Sequence, residues 1–159
     1  MNPPVAPANT SRRARAVEGG CGPVRLAALV LVLVLGAAAP ADDPPRYPPD
    51  TVLLLVAPWC APCHAELARL DTIAAAARPR TVRVFMVEDG ARAAAMWQRV
   101  PAAYRWTPPD GELRRYRTDA LARTAGLPFA IATDARGRVC ATRGGGLDAA
   151  RVVALVREC

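Results

Sequence analysis

The sequence contains no lysine, one histidine and few aromatic residues, which make up 5% of its 159 positions. All 21 basic residues are therefore arginines. Together with frequent alanine and proline, this bias is typical of a GC-rich coding sequence rather than of a phosphate site. The arginines are not interleaved with aromatic residues, so we expect no nucleic-acid partner. His64 is the single histidine, so a zinc site at a nearby cysteine pair would lack its remaining ligands.

The longest apolar run, residues 26–39, has 14 residues, fewer than the roughly 20 of a transmembrane helix. It follows a basic segment with four arginines and precedes a small-x-small pattern at residues 39–41. This order predicts an export signal over residues 1–41. The alternative is an uncleaved anchor that keeps residues 26–39 in the inner membrane. In both cases we expect a periplasmic or otherwise exported protein, with membrane contact only through this N-terminal segment.

The chain beyond this segment has the length of one domain. Residues 42–50 contain four prolines, which predicts an extended tether, and residues 51–159 are then the folded domain. After residue 41, 17 arginines face 13 acidic residues, a net charge of only +4. Four of the five cysteines also lie here, a number that fits an oxidising compartment.

Hydrophobic patterning predicts alternating strands and helices across this domain. Residues 51–56 are a continuous apolar run, as expected for a central parallel strand buried on both faces. Residues 101–118 carry little pattern apart from a proline- and glycine-rich turn. The other predicted elements are a helix from Pro62 to Pro79, a strand over 81–87, a helix over 91–99, a short helix over 119–125, a hairpin of 129–133 with 138–142, and a last helix capped by Asp148.

The most informative segment is Trp59-Cys60-Ala61-Pro62-Cys63-His64, which places two thiols two residues apart between a predicted strand and a predicted helix. A thiolate in the first turn of a helix lies near unpaired backbone N–H groups and the positive end of the helix dipole. We therefore expect Cys60 to be a nucleophile near neutral pH. Cys63 is close enough to form a disulfide with it and release the product.

The same residues match Cys-x-x-Cys-His, the attachment pattern of c-type haem. A cytochrome would use Cys60 and Cys63 as thioether links, His64 as one axial ligand, and Met86 or Met96 as the other. However, a predicted strand rather than a helix precedes the motif. A c-type cytochrome is therefore the alternative to a dithiol site without a cofactor.

Three features resemble the thioredoxin superfamily, in particular its exported members of the disulfide-reductase and cytochrome c maturation kind. They are the Trp59–Cys63 motif after a strand, Gly126-Leu127-Pro128-Phe129 before a hairpin, and three glycines before a terminal helix. The resemblance implies an α/β, trimmed thioredoxin-like fold, with a central mixed sheet of about four strands flanked by helices. The fold is expected to be trimmed because few residues precede the first strand.

The resemblance also implies a thiol-disulfide oxidoreductase that acts through Cys60 and Cys63 without a cofactor. Its partners would be client proteins with disulfides and a membrane redox partner that recycles the dithiol. We expect a reductase for clients such as apo-cytochromes, and the alternative is a general periplasmic oxidant or isomerase.

Supporting residues follow from the same resemblance. The Leu127–Pro128 peptide bond would be cis and face the dithiol, and the Leu127 backbone would pair with the client. Trp59 and Pro62 would support the dithiol from within the motif.

One expected group is missing from the first strand. Many members of the superfamily place a buried carboxylate there, which accepts the proton of the second cysteine, but residues 52–56 contain none. We consider His64, Glu88 and Asp89 as substitutes. His64 follows Cys63 directly, and the two acidic residues follow the second strand at the edge of the sheet where ligands gather.

The two remaining cysteines of the domain, Cys140 and Cys159, are predicted to form a structural disulfide. Cys140 lies about 16 Å before the glycine turn along a strand. Cys159 lies about 16 Å beyond it along a helix that returns over the sheet, so the two ends should meet. The alternative is two unpaired thiols, because strand side chains alternate and Val139 or Ala141 can take the inner face instead.

Overall fold

The computed structural model of the protein describes residues 43–159. The expected export signal at 1–41, and its alternative as an anchor over 26–39, lie outside the described residues. In the part that is described, no helix is both long enough and apolar enough to cross a membrane.

Four strands form one mixed sheet in the order β2-β1-β3-β4. β1 runs parallel to β2 and antiparallel to β3, and β3 pairs with β4 as an antiparallel hairpin. All six residues of β1 are buried, as its apolar sequence predicts. The α/β class and the mixed sheet of four strands are confirmed, and within residues 43–159 no strand precedes β1. The strands are β1 (Thr51–Val56), β2 (Thr81–Met86), β3 (Phe129–Thr133) and β4 (Val139–Gly144).

Five α-helices and one 3₁₀ turn of the described residues flank the sheet. The expected single helix from Pro62 to Pro79 is wrong in one respect, because it is divided near Arg69. There the Arg69 N–H bonds the Glu66 carbonyl at 2.9 Å, a tighter i→i+3 bond that ends the first helix. The helices are α1 (Ala61–Leu67), α2 (Leu70–Ala77), α3 (Ala91–Arg99), α4 (Leu113–Ala122) and α5 (Ala149–Arg157), with the 3₁₀ turn at Ala102–Tyr104.

Helix α4 begins six residues before the expected start at residue 119. Its buried residues are Tyr116 and Ala120, and arginines occupy much of its remaining surface. The Tyr116 ring packs edge-on against Trp106 with their centroids 5.2 Å apart. One aromatic side chain therefore anchors this helix, which is why the apolar pattern across residues 101–118 is too sparse to predict it.

The proline-rich segment before β1 was expected to be a tether over residues 42–50, but its described part packs against the domain. Tyr47 is only 3% exposed, and its hydroxyl donates to the Asp119 carboxylate at 2.7 Å. Its backbone N–H bonds the Gly137 carbonyl at 3.0 Å. The prolines keep the segment extended, but burial of the aromatic ring makes it part of the folded unit.

Cys140 of β4 and Cys159 at the chain end are joined by a disulfide, with Cα atoms 5.2 Å apart. Both cysteines are exposed. Arg143 and Glu158 form an ion pair beside them. These contacts hold the end of α5 to the outer strand of the sheet.

Replacing both Cys140 and Cys159 with serine should lower the free energy of unfolding by about 3 kcal/mol, as expected for opening a loop of this size. The two residues are 19 positions apart. Urea unfolding of the oxidised double variant, compared with the oxidised wild type, measures the loss. An unchanged midpoint would show that the Arg143–Glu158 pair and helix packing alone hold the C-terminus.

Candidate dithiol active site

The dithiol lies where the central strand meets the first helix. β1 ends at Val56, and in the following turn the Cys60 N–H bonds the Ala57 carbonyl at 3.1 Å. Cys60 is the N-cap of α1, and Pro62 lies in its first turn, where a missing N–H costs no helical hydrogen bond. Because β1 is buried at the centre of the sheet, the core positions both sulfur atoms.

Cys60 and Cys63 are joined by a disulfide, with their Cα atoms 5.2 Å apart. The Cys63 N–H donates to Cys60 Sγ at 3.2 Å. After reduction, the same N–H can donate to a Cys60 thiolate and stabilise its charge. Cys63 is completely buried, whereas Cys60 retains 2% exposure, so an incoming sulfur atom meets Cys60 first.

Trp59 directly precedes Cys60 in the chain and is 64% exposed. Its indole N–H donates to the carboxylate of Glu88, in the loop after β2. The neighbouring Asp89 carboxylate pairs with Arg117, and this hydrogen bond lowers the pKa of Asp89. The two acidic residues that we considered as proton acceptors are thus engaged with Trp59 and Arg117.

His64 belongs to α1, and its ring reaches back to the turn before the dithiol, where Nε2 lies 3.1 Å from the Pro58 carbonyl oxygen. It therefore links α1 to that turn. Met86 and Met96, the axial ligands of the cytochrome alternative, are 8% and 3% exposed and pack in the core. Within residues 43–159, no three histidine, cysteine or acidic side chains are grouped so as to hold a metal ion.

The loop before β3 packs against the glycine turn that precedes α5. The Leu127–Pro128 peptide bond is cis, and the Pro128 carbonyl accepts the Gly145 N–H at 3.0 Å. A Cβ atom at Gly146 would lie 3.3 Å from the Pro128 ring, and Gly146 has φ +75°, so glycine allows this close approach. Among the described residues, none forms a hydrogen bond with the backbone N–H or the carbonyl of Leu127.

Glu66 is a buried carboxylate of the site that sequence reasoning missed. It is 1% exposed and lies on the same helix as Cys63, three residues later, which is a neighbouring position on one helix face. Its Oε1 accepts the Leu147 N–H at 2.6 Å, and among the described residues Oε2 has no hydrogen-bond partner. The helical spacing Cys63, Glu66, Leu70 was the pattern that could have placed it on the inner face.

Burial raises the pKa of Glu66 from its ordinary value of 4.5 to about 6. The Leu147 N–H and the positive charges of Arg69 and Arg151 lower it in part. Near neutral pH the carboxylate is therefore mostly ionised, yet it takes up a proton readily. This is the property needed of a group that accepts the proton of a buried thiol.

The fold and the site define an α/β protein with a dithiol at the start of a helix. The features on which the resemblance was based are present, because the cysteine pair follows β1 and begins a helix, and the β3–β4 hairpin follows Pro128. The site is arranged for thiol-disulfide exchange: Cys60 is the outer sulfur, Cys63 is the inner one, and Glu66 lies on the inner side of the same helix.

No family model matches the chain, and neither does any curated protein. Solved structures are similar to it. MTB DsbF, in its mixed oxidised and reduced forms, has 22% identity and a TM-score of 0.46, over 67% of this chain and 78% of DsbF. Bacillus subtilis StoA has 17% identity and a TM-score of 0.46, over 66% of this chain and 80% of StoA.

A third similar structure is a Chlorobium tepidum protein assigned as the thiol:disulfide interchange protein DsbE. It has 25% identity and a TM-score of 0.45, over 68% of this chain and 75% of that protein.

The raised pKa of Glu66 predicts a decline in stability with pH. Between pH 4.5 and about 6 the folded state binds more protons than the unfolded state, so the free energy of unfolding falls through this window as pH rises, by about 2 kcal/mol. In Glu66→Gln this part of the decline should disappear. Any constant cost of the buried amide does not alter the slope.

Urea unfolding of the wild type and of Glu66→Gln at a series of pH values from 4 to about 7 measures how the free energy of unfolding changes with pH. The series ends at about 7 because the Glu66 carboxylate is then almost fully ionised. Asp110→Asn is the matched control. Asp110 is exposed, so this variant should show the same slope as the wild type. Parallel curves for Glu66→Gln and wild type would contradict the assignment.

Proposed function

We propose that the protein is an exported thiol-disulfide oxidoreductase that acts on disulfides of client proteins. One observation carries the proposal: Cys60 and Cys63 are joined by a disulfide at the start of α1, with the Cys63 N–H at Cys60 Sγ and Cys63 completely buried. Export is supported by the basic and apolar leader in residues 1–41.

The proposed reaction starts from the reduced protein. The Cys60 thiolate attacks one sulfur of a client disulfide, which forms a mixed disulfide and releases the other client sulfur as a thiolate. Cys63 then loses its proton and attacks Cys60 Sγ, which frees the second client thiolate. The client gains two electrons, and the protein is left with the Cys60–Cys63 disulfide.

Glu66 is the proposed acceptor of the Cys63 proton. Its free Oε2 is buried, and its position three residues after Cys63 places both side chains on one face of α1. His64 is exposed and bonds the Pro58 carbonyl, which makes it a weaker candidate. A base with a pKa of about 6 is ionised at neutral pH and can return the proton in the reverse reaction.

Clients are proposed to dock between Leu127 and Trp59. The Leu127 backbone has no partner among the described residues, so an extended client segment can pair with it as an added strand. The exposed Trp59 ring offers an apolar contact beside Cys60. Pro128 is buried against the glycine turn and supports this loop.

The proposed direction is reduction, with clients such as apo-cytochromes and a membrane partner that returns electrons to the dithiol. This direction rests on the resemblance to exported reductases. The geometry of exchange is the same for an oxidant or isomerase, which is the second candidate.

Mixed disulfides test the order of attack. Cys63→Ser should accumulate client proteins bound through Cys60, because no second thiol resolves the intermediate. Cys60→Ser should trap few, since Cys63 is buried. Non-reducing electrophoresis after incubation of the reduced variants with unfolded proteins that retain their disulfides measures both, and the reverse preference would contradict the assigned roles.

The wild-type protein is the reference for this experiment, and it should reduce insulin disulfides when a small thiol recycles it.

The wild-type protein should also be colourless when it is purified from an exporting host that makes c-type cytochromes. A Soret band that survives denaturation would instead support the cytochrome alternative.

A further inference from the structure

Arg117 of α4 reaches from its helix to the loop between β2 and α3. One guanidinium nitrogen donates to the Glu88 backbone carbonyl at 3.0 Å and to the Asp89 carboxylate at 2.7 Å. A second nitrogen also donates to the Asp89 carboxylate. The Arg117 side chain is only 18% exposed, whereas its Asp89 partner is 75% exposed, so the guanidinium is shielded from solvent and the carboxylate is not.

These contacts hold the part of the loop that touches the dithiol segment. The last sheet bond before it runs from the Val87 N–H to the Val56 carbonyl. Beyond that, the only hydrogen bonds of residues 88 and 89 among the described residues are those to Arg117 and Trp59. The Glu88 backbone is thus held by Arg117, and its carboxylate is bonded to Trp59.

Helix α4 is a rigid base for such a contact. Tyr116, the residue before Arg117, packs edge-on against Trp106 and Tyr47, with centroids 5.2 and 5.3 Å away. Its hydroxyl donates to the Arg46 carbonyl. By contrast, most of the Trp59 ring is exposed, so packing alone does not set its orientation.

We propose that Arg117 is a positioning residue for client recognition: it clamps residues 88–89 so that the Glu88 carboxylate orients Trp59 as a contact face beside Cys60. This role rests on the proposed function. A planar guanidinium suits the task because it donates to the loop carbonyl and to a carboxylate at once, which a lysine ammonium cannot match in the same geometry.

Two kinds of substrate are expected to respond differently to the loss of Arg117. A client protein that approaches Cys60 lies against the Trp59 ring, whereas a small disulfide reaches the sulfur without it. Loss of Arg117 therefore impairs exchange with protein disulfides and leaves exchange with small disulfides nearly unchanged. A merely structural role would lower stability and affect both substrates alike.

The first arm of the test measures kcat/KM for insulin and for bis(2-hydroxyethyl) disulfide. Arg117→Met should lower the insulin value roughly fivefold, about the worth of one hydrogen bond. The small-disulfide value should stay within about twofold. Arg114→Met is the matched control, because Arg114 lies exposed on the same helix and its loss should change neither value. Equal losses for both substrates in Arg117→Met would overturn the proposal.

The second arm asks whether Arg117 acts through Trp59. In Trp59→Phe the indole N–H is absent, so adding Arg117→Met should lower the insulin value no further. Independent, additive losses in this double-mutant cycle would contradict the pathway through Glu88.

The third arm does not depend on activity. The Trp59 indole N–H signal in the NMR spectrum of the oxidised protein is assigned from its loss in Trp59→Phe. Its hydrogen exchange should be at least about fivefold faster in Arg117→Met than in wild type or Arg114→Met. An unchanged rate overturns the positioning role, whereas failure of the wild type to reduce insulin overturns the proposed function.

Discussion

The hydrogen bond between the Glu66 carboxylate and the Leu147 N–H holds the site together, because it joins the dithiol helix to the turn before α5. That turn also carries Gly146, whose Cβ position lies 3.3 Å from the Pro128 ring. The helix with the cysteines and the loop with the proposed client edge are therefore positioned by one buried acidic residue. A buried carboxylate costs free energy when ionised, and here that cost raises the pKa of Glu66 to about 6.

The two sides of the dithiol have different physical character. On the inner side, Cys63 and Glu66 are shielded from solvent, which suits proton transfer. On the outer side, Trp59 is exposed and oriented through Glu88 by Arg117. In the proposed function, exchange chemistry thus depends on the interior of α1, whereas recognition of clients depends on a loop held by α4, a helix that lies far from the cysteines in sequence.

The sequence predicted those features that depend on interactions between residues close together in the chain. The apolar run of β1, the cysteine pair before a helix and the Asp148 cap each depend on neighbours in sequence, and each lies where expected. Burial across long sequence distances was harder to predict. Glu66 looks like a surface residue of an amphipathic helix until the Leu147 N–H, 81 residues away, covers it.

The same limit explains two other differences. Tyr47 draws a proline-rich segment onto the domain through Asp119, a partner 72 residues later. Helix α4 buries only Tyr116 and Ala120 among its ten residues, and three of its first five are arginines. In both cases a bulky buried aromatic ring stands almost alone, and so few buried residues form no clear period in the sequence.

The reduction potential of the Cys60–Cys63 pair tests the central claim, that this disulfide is a redox site rather than a structural link. Equilibration with glutathione or dithiothreitol buffers, read by mass spectrometry of the Cys60–Cys63 peptide apart from the Cys140–Cys159 peptide, gives the value. A reductase should have a potential between about −270 and −200 mV, and a value near about −120 mV would reverse the direction of exchange. A value below about −300 mV, where structural disulfides lie, would contradict the account.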